Sequence, residues 1–208
     1  MNDASNLIQA LREREWRAYL WKKRLRLKRP GFSILSTNCI GGVMYHDLGL
    51  EFLTPTVNLT IPIRDLIKLA GNPRWYMALP LAERENPGGC PTALLGDVRV
   101  NFLHYASFEE ASAKWEERKR KINWDRLILM ATDRDGCDYE TLRRFDRLPY
   151  PHKLVFTHRP YPELDSACYI RGFEERGEVG VLTNFKPGPL KRRYLDAFDY
   201  VGFLNGAE

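Results

Sequence analysis

The sequence contains no CxxC pair. Its four cysteines, Cys39, Cys90, Cys137 and Cys168, stand far apart, which excludes a zinc ribbon built on paired thiolates. It has no run of about 18 apolar residues, so no segment reads as a membrane span. Its first residues are polar, and no apolar stretch ahead of a cleavage site follows them, so no secretory signal is read. These absences predict a cytoplasmic protein with free thiols in a reducing compartment. Internal repeats and low-complexity tracts are also missing, which excludes solenoids and repeat arrays.

What is present is an ordinary globular composition. The 208 residues are 44% hydrophobic, enough for one domain whose core needs no disulfide staples. The net charge of +5 is uneven. Residues 12 to 29 hold nine Lys or Arg against Glu13 and Glu15, a local net of +7, which leaves the rest slightly acidic. A basic face on the folded body is therefore not expected, and neither is a nucleic-acid partner. Residues 4 to 28 read as a helix ended by Pro30-Gly31. Leu7, Ile8, Leu11, Trp16, Tyr19, Leu20 and Trp21 supply an imperfect apolar side, and the cations supply the other. Such a helix suits an anionic membrane surface; the alternative is an arm packed on its own domain or on a second subunit. Homo-oligomerisation stays open.

After Pro30, short apolar runs alternate with helix-like segments. The runs are 32–36, 98–103, 127–131, 153–156 and 179–182; the segments are 63–69, 108–121, 139–148 and 189–198. Residues 71–93, rich in Pro and Gly, read as irregular. The alternation predicts an α/β fold: three layers around a mostly parallel, Rossmann-like sheet. The expected organisation is a basic N-terminal helix over residues 1–30 and a single α/β domain over 31–208.

In such a sheet, ligands bind beyond the carboxyl ends of the strands. The residues there are Thr37-Asn38-Cys39, His104, Thr132, Asp133 and Asp135, Thr157-His158-Arg159 and Thr183-Asn184. Asn38-Cys39-Ile40-Gly41-Gly42 is neither a P-loop nor a GxGxxG turn. Its glycines can bring backbone N–H groups to a phosphate, and a helix starting near Val43 would lower the Cys39 pKa. With His104 as base, Cys39 becomes a candidate nucleophile; otherwise it is a small thiol beside a turn. Asp133 and Asp135, one residue apart after a strand, are candidate ligands for Mg²⁺ or Mn²⁺; the same residues also suit a plain turn. Ser107 with Glu110 reads as a capping box, Asp138 as a helix N-cap, and Trp115 as a packing anchor. Arg118 or Arg120 could reach a phosphate with a planar fork.

The blocks "STNCIGG", "YHDLGL", "LTPT", "NFLHYAS", "KWEERKRKINWDRLILMATDRD" and "RFDRLPYPHKLVFT" occur in that order. Together they resemble a bacterial family, the domain of unknown function 1919, often labelled exopolysaccharide biosynthesis protein. The resemblance runs from about Phe32 to about Thr157. It implies an α/β fold and a place among surface-polysaccharide enzymes. It marks Asn38, Cys39, Gly41, Gly42, Pro55, His104, Trp115, Arg118 and Arg120, with Asp133 and Lys153, as characteristic positions. The expected activity is a transferase at the inner face of the membrane. Its donor carries a phosphate or nucleotide, such as a nucleotide sugar, and its acceptor is a glycan or lipid-linked sugar. Asn38, the Gly41-Gly42 backbone, Arg118 or Arg120 and Lys153 would hold substrate. His104 would be the acid/base, and Asp133 and Asp135 would hold a metal. The alternatives are a Cys39/His104 hydrolase or acyltransferase, and a non-catalytic glycan-binding or scaffold subunit.

Overall fold

A computed structural model describes residues 2–87 and 89–206, with side chains from Ser5 onward. Four parallel strands form the central sheet in the order β1 (Ser33–Ser36), β5 (Leu127–Thr132), β6 (Lys153–Thr157) and β7 (Ala167–Tyr169). A second, antiparallel sheet contains β2 (Leu81–Arg84), β3 (Thr92–Leu95) and β4 (Val98–Asn101). The helices are α1 (Asn2–Arg26), α2 (Ile40–Leu48), α3 (Ile63–Gly71), α4 (Pro73–Ala78), α5 (Phe108–Lys119), α6 (Tyr139–Asp146) and α7 (Tyr200–Leu204).

Alternation along the parallel strands divides the core into two layers, because successive side chains leave a strand on opposite faces. Leu35, Leu129, Ala131 and Val155 face Leu66 of α3, Trp115 of α5, Phe145 of α6 and the antiparallel sheet. Ile34, Ile128, Met130, Leu154 and Phe156 face Met44 of α2 and Tyr200 of α7. The strands are buried on both faces, so they read as continuous apolar runs. The expected three-layer α/β architecture is the one present. Ser107 caps α5, accepting from Glu110 N at 3.2 Å, and Asp138 caps α6, accepting from Thr141 N at 2.8 Å.

Four expectations about elements change. The run 98–103 holds a strand, but β4 belongs to the antiparallel sheet. Leu95 pairs with Val98 across Gly96-Asp97, and Gly96 has φ +63°, a two-residue hairpin that the Gly-Asp pair already signals. The run 179–182 is a buried loop, not a strand; Val179 and Leu182 fill the second core layer. Residues 189–198 hold only a single 3₁₀ turn, Tyr194–Ala197, because Pro187-Gly188-Pro189 breaks the chain into a bend with Phe185 bridged to Arg193. Residues 71–93 contain α4 and β2.

Residues 53–61 cover the free edge of β1. Ile34 O accepts from Thr56 Oγ1 at 3.0 Å, and Thr37 O accepts from Ile61 N at 2.9 Å. Pro55 lies in this cover. Gly41 and Gly42 have a packing reason. A Cβ at Gly41 would stand 2.9 Å from Ser36 Oγ, and one at Gly42 would stand 3.4 Å from Val57 Cγ1. Both residues let α2 lie closely on β1 and its edge cover.

The basic helix α1 is docked along one face. Trp16 and Leu20 are buried, and Tyr19 is half-buried. Lys23 Nζ lies 2.6 Å from Asp196 Oδ1, with both side chains almost fully enclosed, and 3.8 Å from the centre of the Tyr200 ring. Burial pulls the Lys23 ammonium below its usual range against the opposing effect of Asp196. Glu15 meets Arg192 through two bonds of 2.8 and 2.5 Å, and Glu13 meets Lys191 at 2.5 Å. Removing one partner of an enclosed pair leaves an uncompensated charge. Lys23→Ala is therefore expected to cost about 3–5 kcal/mol in urea unfolding. Lys22→Ala, on the exposed side, should stay within about 0.5 kcal/mol. Equal, small effects would mean that α1 is a detachable arm.

Candidate functional site

A cleft of about 580 Å³ opens beyond the carboxyl ends of β1 and β5. Asn38, Cys39, His104, Arg134, Asp135 and Asn184 contribute to its walls. The sequence brings Asn38 and Cys39 there because β1 runs straight into α2. Asn38 Nδ2 donates to Thr132 Oγ1 at 3.1 Å, and Asn38 Oδ1 accepts from Ile40 N at 3.2 Å. One amide thus ties the ends of β1 and β5 together and caps the first turn of α2. Cys39 is the N-cap residue, with Val43 N donating to its carbonyl at 2.9 Å. Burial pushes the Cys39 thiol up, outweighing backbone hydrogen bonds that act in the opposite direction. The expectation of a lowered Cys39 pKa is therefore corrected: desolvation disfavours the thiolate more than the helix start favours it.

His104 arrives by a route the sequence did not suggest. It follows β4, outside the parallel sheet. A bridge between Thr60 and Asn101 joins that sheet to the β1 edge cover, and His104 N donates to Asn58 O at 3.3 Å. The imidazole is exposed at the cleft. Leu103 and Val181, at 45% and 44% exposure, form apolar lips on two of its loops.

Asp133 is not a free ligand. Its carboxylate is buried and accepts three hydrogen bonds: from Val179 N at 2.8 Å, His158 N at 2.8 Å and the His158 ring Nδ1 at 2.6 Å. Asp135 is exposed, in the left-handed region with φ +62°, and its N–H donates to Glu178 Oε2 at 2.9 Å. The two carboxylates do not converge as the Mg²⁺ or Mn²⁺ reading required. Among the described residues no three His, Cys, Asp or Glu side chains group as ligands.

Gly41 and Gly42 are buried in the α2–β1 contact and do not line the cleft. Arg118, Arg120 and Lys153 do not line the cleft. Arg118 and Arg120 lie at the end of α5, ahead of β5, and Lys153 is the first residue of β6. Arg118 Nη1 donates to Tyr105 Oη at 2.6 Å and lies over Phe52; Lys153 Nζ donates to Tyr150 O at 3.2 Å; Arg120 is exposed.

The cation that does line the cleft is Arg134, between the two aspartates. Its Nε is buried without a hydrogen-bond partner, 3.9 Å from Glu178 Oε1. The second residue missed is His158. Its Nδ1 lies 2.6 Å from Asp133 Oδ2. The signal for both was their place just after a parallel strand. Trp115, by contrast, is the packing anchor expected, 1% exposed in the core.

The chain is 38% identical over 182 residues to an uncharacterized protein of Haemophilus influenzae (strain ATCC 51907 / DSM 11121 / KW20 / Rd), covering 88% of each chain. The family described as Domain of unknown function (DUF1919) matches residues 11–205. That match takes in most of α1 and the segment after Thr157, beyond the blocks that first carried the resemblance. The chain belongs to the DUF1919 family.

Proposed function

We propose that the protein is a transferase of surface-polysaccharide assembly, moving a group from a phosphate- or nucleotide-activated donor to a glycan or lipid-linked acceptor. The observation that carries this reading is the cleft at the carboxyl edge of the parallel sheet, where Asn38, His104 and Arg134 meet. Arg134 takes the donor phosphate in place of Arg118 and Arg120. Arg134 lines the cleft and its guanidinium carries five N–H donors, and the start of α2 adds partial positive charge. Exposed His104 acts as acid/base on the acceptor hydroxyl.

The cysteine-dependent reading has one observation in its favour, since Cys39 and His104 share the cleft. The raised Cys39 pKa weighs against it.

The protein works at the inner face of the membrane through the outer side of α1. Leu7, Leu11, Trp21 and Leu25 are all more than half exposed and, with Ala18, follow a three-and-four spacing along one face. Arg17 and Lys22 flank this stripe and Arg14 falls within it, whereas Arg24 donates to Asp47 O at 2.8 Å. The stripe is not the face expected from the sequence, since Trp16, Tyr19 and Leu20 are turned to the body. Among the described residues no helix is long and apolar enough to cross a membrane.

Three measurements test these statements. Titration with a nucleotide-sugar panel, followed by amide NMR, should shift Asn38 and Arg134. Arg134→Ala should weaken that binding by about 1.5–3 kcal/mol. Binding by no member, or undiminished binding in Arg134→Ala, would reject the donor site. Iodoacetamide should alkylate Cys39 slowly at neutral pH. The rate should climb as pH rises toward the raised thiol pKa, because only the thiolate reacts. Fast, inactivating alkylation at pH 7 would favour the cysteine reading instead. In vesicle sedimentation, anionic lipid should retain the protein more than neutral lipid, with each basic residue near the surface contributing about 1 kcal/mol. Trp21→Asp with Leu25→Asp should release it, and salt should weaken the attraction. Equal retention of the double variant would rule out the stripe.

A further inference from the structure

The exposed apolar side chains are not scattered. Of the eleven large hydrophobic residues exposed among the described residues, all but Trp75 and Tyr139 lie in one of three places. They are on α1, at the lips of the cleft, or on the segment joining the two. Patches of this extent mark sites of interaction. The joining segment is continuous: Val181 to Asn184 line the cleft, and Phe185, the next residue, lines a second groove of about 380 Å³ against α1.

Two apolar side chains, Ile8 and Phe185, line that groove among the polar Ser5, Gln9, Arg12, Glu13 and Lys191. Ile8 is 58% exposed and Phe185 43%. Phe185 is held in place by the edge of Trp16, with ring centres 5.5 Å apart. Arg12 donates to Gly188 O at 3.1 Å, and Lys191 pairs with Glu13 at 2.5 Å. Neither cation is exhausted by one acceptor, because a guanidinium has five N–H donors and an ammonium three. Glu13 is the one acid on the walls, so the lining keeps a net positive charge.

We infer that the groove between α1 and residues 185–191 binds an anionic lipid, with its phosphate between Arg12 and Lys191 and its chain along Ile8 and Phe185. This deepens the transferase reading and rests on it. The ligand is the lipid-phosphate portion of the acceptor, and the 181–185 segment leads its head group from the membrane-facing helix into the cleft. An uncharged lipid leaves the cations unused, and free phosphate leaves Ile8 and Phe185 unused.

The full chain is titrated with dihexanoyl phosphatidic acid below its micelle concentration, with dihexanoyl phosphatidylcholine, and with inorganic phosphate, while NMR follows Ile8, Val181 and Phe185. The expected result is saturable shifts with phosphatidic acid alone. Binding should be weakened about tenfold or more in Ile8→Asp and in Lys191→Gln, and unchanged in Tyr139→Ser, an exposed position on α6 away from the groove. Ile8 is exposed, so its variant should keep the fold, which unchanged cleft resonances verify. The inference is overturned by undiminished binding in Ile8→Asp and Lys191→Gln, by equal binding of phosphatidylcholine, by the same shifts with inorganic phosphate, or by no saturable shift. Nucleotide-sugar binding at Asn38 and Arg134 is measured on the same samples. Its persistence while lipid binding fails rejects the groove alone. Its absence while the groove binds lipid rejects the donor site and leaves the groove.

Discussion

The cleft depends on one buried carboxylate. Asp133 stands at the end of the central strand and accepts from two backbone N–H groups and one imidazole. A buried carboxylate is costly unless its oxygens are well supplied with donors, and here the three donors come from two distant parts of the chain, His158 and Val179. One oxygen gathers His158, at the end of β6, and the other holds Val179, just before the loop that forms a wall of the cleft. The next two residues after Asp133, Arg134 and Asp135, line that cleft. Function and architecture thus meet at adjacent positions: Asp133 fixes the loops, and Arg134 faces the space they enclose.

The same division of labour appears in the flanking elements. Asn38 has the composition of a ligand-binding residue, yet both ends of its amide are engaged in joining β1, β5 and α2. Gly41 and Gly42 look like a phosphate cradle, yet their missing side chains are occupied by Ser36 and Val57. What remains to meet a ligand is a smaller set, Arg134 and His104, with apolar lips at Leu103 and Val181. A polar floor under apolar lips matches an amphipathic acceptor better than a free sugar.

Charge on α1 also serves two purposes. Lys23, Glu13 and Glu15 face Asp196, Lys191 and Arg192 and hold the helix to the C-terminal segment. The enclosed Lys23–Asp196 pair makes docking specific, since a shift in register would strand a charge. Arg12, Arg24 and Arg26 also reach the body, at Gly188 O, Asp47 O and Asp199. Arg14, Arg17 and Lys22 stay exposed with Leu7, Leu11, Trp21 and Leu25, so the two sides of the helix differ in what they pair with.

The sequence by itself determined the elements whose signals are local. Apolar runs marked β1, β5 and β6, and caps marked α5 and α6. The alternation of strands and helices marked the three-layer architecture. The same local reading placed Asn38, Cys39 and His104 at a site, and they do share one cleft. Tertiary structure alone decided what each polar residue faces. Arg118, Arg120 and Lys153 have the chemistry of phosphate ligands, but none lines the cleft, and Arg118 and Lys153 are bonded to Tyr105 and Tyr150 instead. Asp133 has the chemistry of a metal ligand, but donors distant in sequence, at His158 and Val179, fill its oxygens. Trp16 and Trp21 are five residues apart on one helix; Trp16 is buried against Phe185 and Arg193, and Trp21 is exposed. Local pattern reflects backbone preference and hydrophobic periodicity, whereas the orientation of a charge is set by partners that folding brings from far along the chain.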